Sequence, residues 1–168
     1  GNDRIAEIRP GYSESPLDLT AKIKIILEYG HEKEPELEFL AGHYQDNCPI
    51  GGHIHLAIEP EEEIVDALDV VLYSLSNCID DREQREKREK TGYGKKSANQ
   101  KKPYGFEYRT PGSWLLSPAT ALVTFTLAKL TVLGVKEDEI DFRELKGRKH
   151  SHSFLKEFKN NLKTIPED

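Results

Sequence analysis

The chain has 168 residues, room for one domain but not for two full ones. It is 36% hydrophobic and 32% charged, and its net charge of -6 argues against nonspecific nucleic-acid binding, which needs a basic surface. Its 2 cysteines lie in no metal-like spacing and are too few for a disulfide framework; with no evident membrane-span-length run or signal peptide, a cytoplasmic protein without a membrane partner is expected.

In chain order, RIAEIRP (4–10) alternates in character and ends at Pro10, which predicts a strand with Glu7 and Arg9 on one face. SPLDLTAKIKIILEYG follows, with Ser15 as N-cap, Pro16 in the first turn and Leu19, Ile23 and Ile26 at helical spacing. It predicts a helix over 16–29 stopped by Gly30. PELEFLAGHY (35–44) reads as a strand or a short helix, and QDNCPIGG as loop. HIHLAIE (53–59) sets His53, His55 and Ala57 against Ile54, Leu56 and Ile58, the alternation of a strand. Pro60 opens the strongest helix, EEEIVDALDVVLYSLSNCIDD. Acidic residues sit in its first turn, and Ile64, Leu68, Val71, Leu75 and Ile79 form one stripe.

Residues 82–103 are polar and basic; the helix can run on into their first half, and the second half reads as loop. YGFEYRTP (104–111) is a strand with Phe106 and Tyr108 opposite Glu107 and Arg109. SPATALVTFTLAKLTVLG (117–134) is a helix capped by Ser117 and ended by Gly134, with Trp114 anchoring the turn before it. The tail is polar, with one weak amphipathic helix in SHSFLKEFKNNL. The order β-α-(β)-β-α-loop-β-α, with strands apolar on one face only, predicts an α+β fold. Helices pack on one face of an antiparallel sheet and a polar site lies on the other. Residues 1–135 read as the core and 136–168 as a polar extension.

Three strands carry polar pairs two residues apart, Glu7/Arg9, His53/His55 and Glu107/Arg109, and that spacing puts both members of a pair on one sheet face. Singly, such a His is more often structural and a Glu-x-Arg pair is usually a cross-strand ion pair. Together they offer carboxylate and imidazole to a divalent cation and guanidinium to phosphate. The basic run interleaves Gly92, Tyr93 and Gly94 with Arg88, Lys95 and Lys102, and feeds the Glu107/Arg109 strand. A charge run is usually a solvated face; beside such a strand it can also clamp nucleotide phosphates without a P-loop.

GGHIHLAI and YGFEYRTPGSWLLSPATALVTFTLAKL resemble segments of the glutamine synthetase-like carboxylate–amine ligases, more narrowly the phage-type COOH-NH2 ligases (amidoligases). GNDRIAEIRP resembles a third segment of the family, so the likeness spans roughly residues 1–133. The resemblance implies a glutamine synthetase-like catalytic core with ATP and Mg²⁺ (or Mn²⁺), acting on a small-molecule carboxylate and an amine or a peptide. Under it, Glu107 is a ligand of one active-site metal and His53 of a second, and His55 lies near the nucleotide. Arg109 meets the transferred phosphoryl group, and Glu7 is a further metal or amine-site carboxylate. Arg9, Arg88, Lys95 and Lys102 would contact ATP. The superfamily's upstream acidic strand has no counterpart in these residues: either they are part of a longer chain or the strand is lost, and its loss would make a degenerate core, binding nucleotide or peptide without turnover, the alternative. A metal-dependent hydrolase built on His53, His55 and Glu107 is a third reading, and oligomeric state is not legible.

Overall fold

The computed structural model describes residues 7–36, 38–79 and 81–137. The expected tail helix, with His150 and His152 before it, lies outside the described residues.

Two long helices frame the chain. Helix α1 (Pro16–Lys33) starts as expected, with the Ser15 side chain accepting from the Asp18 amide and Pro16 in the first turn. It runs through Gly30 and stops only where the Glu34 amide bonds back to the Gly30 carbonyl. Glycine weakens a helix interior by about 1 kcal/mol, which the flanking turns here offset. Ile23 is buried, whereas Ile26 faces outward at 37% exposure, so the buried stripe is narrower than the apolar spacing suggests. Helix α5 (Pro118–Lys136) is capped by Ser117 and likewise passes its expected glycine stop at Gly134.

By length and composition α5 could cross a membrane, with mean hydropathy 1.5 over its window, which corrects the expectation that no run approaches a span. Its Ala121, Phe125, Ala128 and Val132 are buried within the molecule.

Between these helices a tight hairpin joins β1 (Tyr44–Gln45) to β2 (Cys48–Pro49). Its two central residues, Asp46 and Asn47, have φ of 48° and 62°, the left-handed pair that a two-residue hairpin loop requires. Residues 38–43 before it form neither the strand nor the helix considered above. The expected long helix consists of α2 (Glu62–Leu68), a π-helical turn (Asp69–Tyr73) and α3 (Ser74–Ile79). A separate helix, α4 (Arg82–Lys90), follows, capped by the Asp81 side chain.

The main sheet is antiparallel, in the order β3 (Ile54–Leu56), β5 (Gly105–Tyr108), β4 (Asn99–Lys102). Strand β4 occupies the stretch that the sequence suggested was loop. The alternation on β3 and β5 decides what each face does. Ile54, Phe106 and Tyr108 turn inward onto Ile64, Val65, Leu68 and Leu72 of the helical rod and Ala128 and Val132 of α5. A second cluster joins Ile23 of α1 to Ala121 and Phe125 of α5, with Trp114 and Leu115 packed against it.

The glycine pair before β3 is explained by this packing. A Cβ on Gly52 would stand 2.4 Å from the Gly112 carbonyl oxygen and from the Trp114 ring. The Trp114 indole donates to the Gly52 carbonyl at 2.8 Å, so Trp114 locks two segments together. One on Gly51 would stand 2.7 Å from the His53 ring and 2.8 Å from the Arg88 guanidinium. The space beside both glycines is filled by the protein's own groups.

Gly52→Ala should therefore destabilise the fold by about 2 kcal/mol or more through overpacking against backbone. Urea unfolding measures this, and an unchanged midpoint would contradict the packing described.

Candidate active site

Register assembles the polar face. His55 and Gln100 stand directly across from Glu107 on the neighbouring strands. His53 and Arg109 lie one step further at one end, and Lys102 is the diagonal neighbour at the other. Of these side chains, His53, Lys102 and Arg109 converge on the Glu107 carboxylate, which is only 6% exposed. Its Oε1 accepts from His53 Nδ1 at 2.6 Å. Its Oε2 accepts from Lys102 Nζ at 2.9 Å and from Arg109 Nη2 at 3.0 Å. Arg109 Nη2 and Lys102 Nζ also donate to the Gln100 side chain.

The electrostatics follow from that arrangement. Burial raises the Glu107 pKa, but the hydrogen bonds from Arg109 and Lys102 and the adjacent positive charge outweigh it and hold the carboxyl at about 2. Burial pushes the His53 pKa down; Glu107 opposes this, while Arg88 and Arg109 reinforce it. His53 is thus a neutral imidazole that donates through Nδ1, which leaves the lone pair on Nε2.

Glu7 and Arg9 pair with each other at 2.7 Å on the exposed surface. Residues 7–10 form no strand, so the expected Glu7/Arg9 sheet face is corrected to an irregular segment. It still lies beside the site. The Glu7 pKa is lowered chiefly by its hydrogen bond to Arg9, with Glu107 and His53 acting on it as further charges. His55 is exposed and bonds through Nδ1 to the Tyr104 hydroxyl at the tip of the β4–β5 hairpin. Lys95 is exposed on the loop before β4, and its carbonyl accepts from the Thr110 hydroxyl at 2.9 Å.

Arg88 is the clearest departure from expectation. At 1% exposure it is buried, not free to meet a phosphate at the surface. Its guanidinium donates to the Thr110 carbonyl at 2.8 Å and to the Arg109 carbonyl at 3.0 Å, which fixes the chain just past β5. Gly94, with φ of 76°, lets the loop backbone pass against it, since a Cβ there would meet Arg88 Nη1 at 2.4 Å. No motif marks Tyr104, Gln100 or the buried Asp69 as participants. The only available signal for Gln100 was the alternation of Gln100 and Lys102, masked by the surrounding charge run.

Two observations test the fit of the expected ligands. Among the described residues, no three His, Cys, Asp or Glu side chains form a group able to hold a metal ion. That removes the support for a three-ligand hydrolase site of His53, His55 and Glu107. A neutral His53 with its Nε2 lone pair open suits a hydrated divalent ion such as Mg²⁺, whereas both Glu107 oxygens already accept from His53, Lys102 and Arg109, so Glu107 orients the His53 ring from behind. The Nε of Arg109 is buried and meets no acceptor among the described residues, so only the partly exposed end of its fork is open to a ligand.

Because the folded Glu107 titrates at about 2 against an ordinary 4.5, its contribution to stability is full above pH 4.5 and is lost as pH falls toward 2. The stability difference between wild type and Glu107→Gln should shrink between about pH 6 and about pH 3, read from urea midpoints. A constant difference would contradict the ionised, buried carboxylate.

No curated protein and no solved structure matches the chain. A family described as phage phiEco32-like COOH.NH2 ligase-type 2 matches residues 2–167. The chain therefore belongs to this family of carboxylate–amine ligases.

Proposed function

We propose that the protein is an ATP-dependent ligase that joins a carboxylate to an amine through an acyl phosphate. The observation that carries this reading is the Glu107 cluster: an ionised, buried carboxylate ringed by His53, Lys102 and Arg109 on one sheet face in a member of a carboxylate–amine ligase family.

The substrate carboxylate attacks the γ-phosphorus of ATP, which gives an acyl phosphate and ADP. The amine then attacks the acyl carbon, the amide forms, and phosphate leaves. Arg109 meets the transferring phosphoryl group through the exposed end of its fork, where charge spreads over the oxygens. Lys102, Arg9 and the exposed Lys95 add positive charge around the phosphates. His53, through Nε2, would hold a divalent ion, Mg²⁺ or Mn²⁺, with Glu107 orienting its ring. Glu107 would ligate a second ion only by giving up the Lys102 and Arg109 bonds to Oε2. The chemistry such ions supply is to offset phosphate charge. Glu7 holds the ammonium form of the amine and takes its proton. Arg88 acts from beneath, by fixing the backbone that carries Arg109.

Protein, ATP, Mg²⁺ and a panel of amino acids should release phosphate. Arg109→Ala should lower kcat/KM by roughly 100-fold or more, and Arg109→Lys should recover only part of it, because the fork is lost. Phosphate release that is absent with every amino acid, or indifferent to Arg109, would overturn the reading. The closed arrangement at Glu107, whose oxygens are already taken by His53, Lys102 and Arg109, favours one second reading, a module that binds nucleotide without turnover. Calorimetric binding of ATP and Mg²⁺ with no product would support it.

A further inference from the structure

We propose that Asp69 is a positioning residue that fastens the basic loop 91–98 to the strand bearing Glu107 and Arg109, and so sets the spacing between Lys95 and the Glu107 cluster. Asp69 opens the π-helical turn of the central helical rod and is buried at 7% exposure. A π turn carries one residue more per bond than an α-helix, and such turns are frequent at functional sites. Here the wide turn aims a carboxyl at two elements together.

Its Oδ1 accepts from the Tyr108 hydroxyl at 2.6 Å, which reaches it from the inner face of β5. Its Oδ2 accepts from the Ser97 hydroxyl at 2.8 Å, which reaches it from the loop. Ser97 holds a φ of 59°, a left-handed backbone that a serine rarely adopts without a local reason. The Asp69 bond is such a reason.

The same loop is held at further points around this carboxyl. Thr110 Oγ1 donates to the Lys95 carbonyl at 2.9 Å and lies 3.5 Å from Asp69 Oδ1. The Arg109 amide donates to the Ala98 carbonyl at 2.7 Å. The Lys96 ammonium lies 5.0 Å from the centre of the Tyr73 ring, at the far end of the π turn. Tyr108 and Thr110 flank Arg109 in sequence, so Asp69 grips the strand from the side opposite the reacting face. Neither the polar pairs nor the family match assigns this clasp a role, and nothing places Asp69 against a substrate.

The consequence for the ligase rests on the function proposed above, so the test has one arm that does not. Three full-length variants suffice: Ser97→Ala cuts the loop tether, Tyr108→Phe cuts the strand tether, and Asp69→Asn weakens both. In Ser97→Ala, amide exchange at residues 95–98 should quicken about tenfold or more as the local opening becomes easier. The KM for ATP should rise about fivefold to tenfold while kcat holds within about twofold, a split that general destabilisation does not produce. Adding Ser97→Ala to Asp69→Asn should cost less than the two changes separately, since both break one clasp.

Wild-type exchange and wild-type KM in Ser97→Ala would overturn the proposal, and so would strict additivity in the double variant. If Asp69→Asn does not fold, the comparison of Ser97→Ala with Tyr108→Phe carries the same decision. If the wild type itself turns over no ATP, the ligase reading fails. The exchange arm then decides the clasp alone: faster exchange upholds it and unchanged exchange overturns it.

Discussion

An ionised carboxylate that is 6% exposed must find donors for its open lone pairs, and the polar half of this molecule is arranged around that requirement at Glu107. No single neighbouring strand supplies enough. His53 comes from the chain entering β3, Lys102 from the end of β4 and Arg109 from just beyond β5. The three-stranded order with β5 in the middle is what lets all three reach one carboxylate. Strand alternation then fixes the opposite face, where Phe106 and Tyr108 are fully buried against the helices. The core and the site are thus two faces of the same few residues, and a register slip in β5 would lose both.

A second layer keeps the first in place. Arg88, from α4, spends two of its donors on the carbonyls of Arg109 and Thr110. Trp114 closes the glycine turn before His53 through its bond to the Gly52 carbonyl. Asp69 grips Tyr108 from within the core. Trp114 and Asp69 do not touch the donors around Glu107, and Arg88 reaches only the His53 side of the ring, yet each holds backbone that carries it. Such preorganisation is what catalysis by fixed charges needs, because donors that must move before the reaction waste their electrostatic advantage.

Much of this was legible in the sequence where a short-range rule governs. The caps at Ser15 and Ser117 follow from hydroxyls placed before Pro16 and Pro118. The alternation in HIHLAIE and YGFEYRTP correctly separated His53 and Glu107 from Ile54 and Phe106. The family resemblance was visible in those same segments and agrees with the match over residues 2–167. What failed depends on tertiary context. Gly30 and Gly134 look like stops, but α1 runs on to Lys33 with its last residues exposed, and α5 runs on to Lys136 with Val135 packed against the core. Strand β4 is hidden in a charge run, because its exposed Asn99, Gln100 and Lys101 provide no apolar alternation. Arg88 looked like surface charge, and only the fold reveals two carbonyls waiting for it. The glycines before His53 leave open backbone in the sequence, and only the fold shows that Trp114, His53 and Arg88 fill the space beside them.

Whether the site acts on metal-bound nucleotide or only grips anions turns on His53. A neutral ring that donates through Nδ1 to Glu107 keeps an Nε2 lone pair, whereas a cationic ring makes the whole cluster a clamp for negative charge. Nitrogen NMR of the His53 imidazole in the full-length protein distinguishes these directly. The expected result is a neutral ring protonated at Nδ1 near neutral pH, with a pKa below the ordinary 6.5. A ring protonated at Nε2, or one that stays cationic above 6.5, would contradict the arrangement around Glu107 from which the ligase function is inferred.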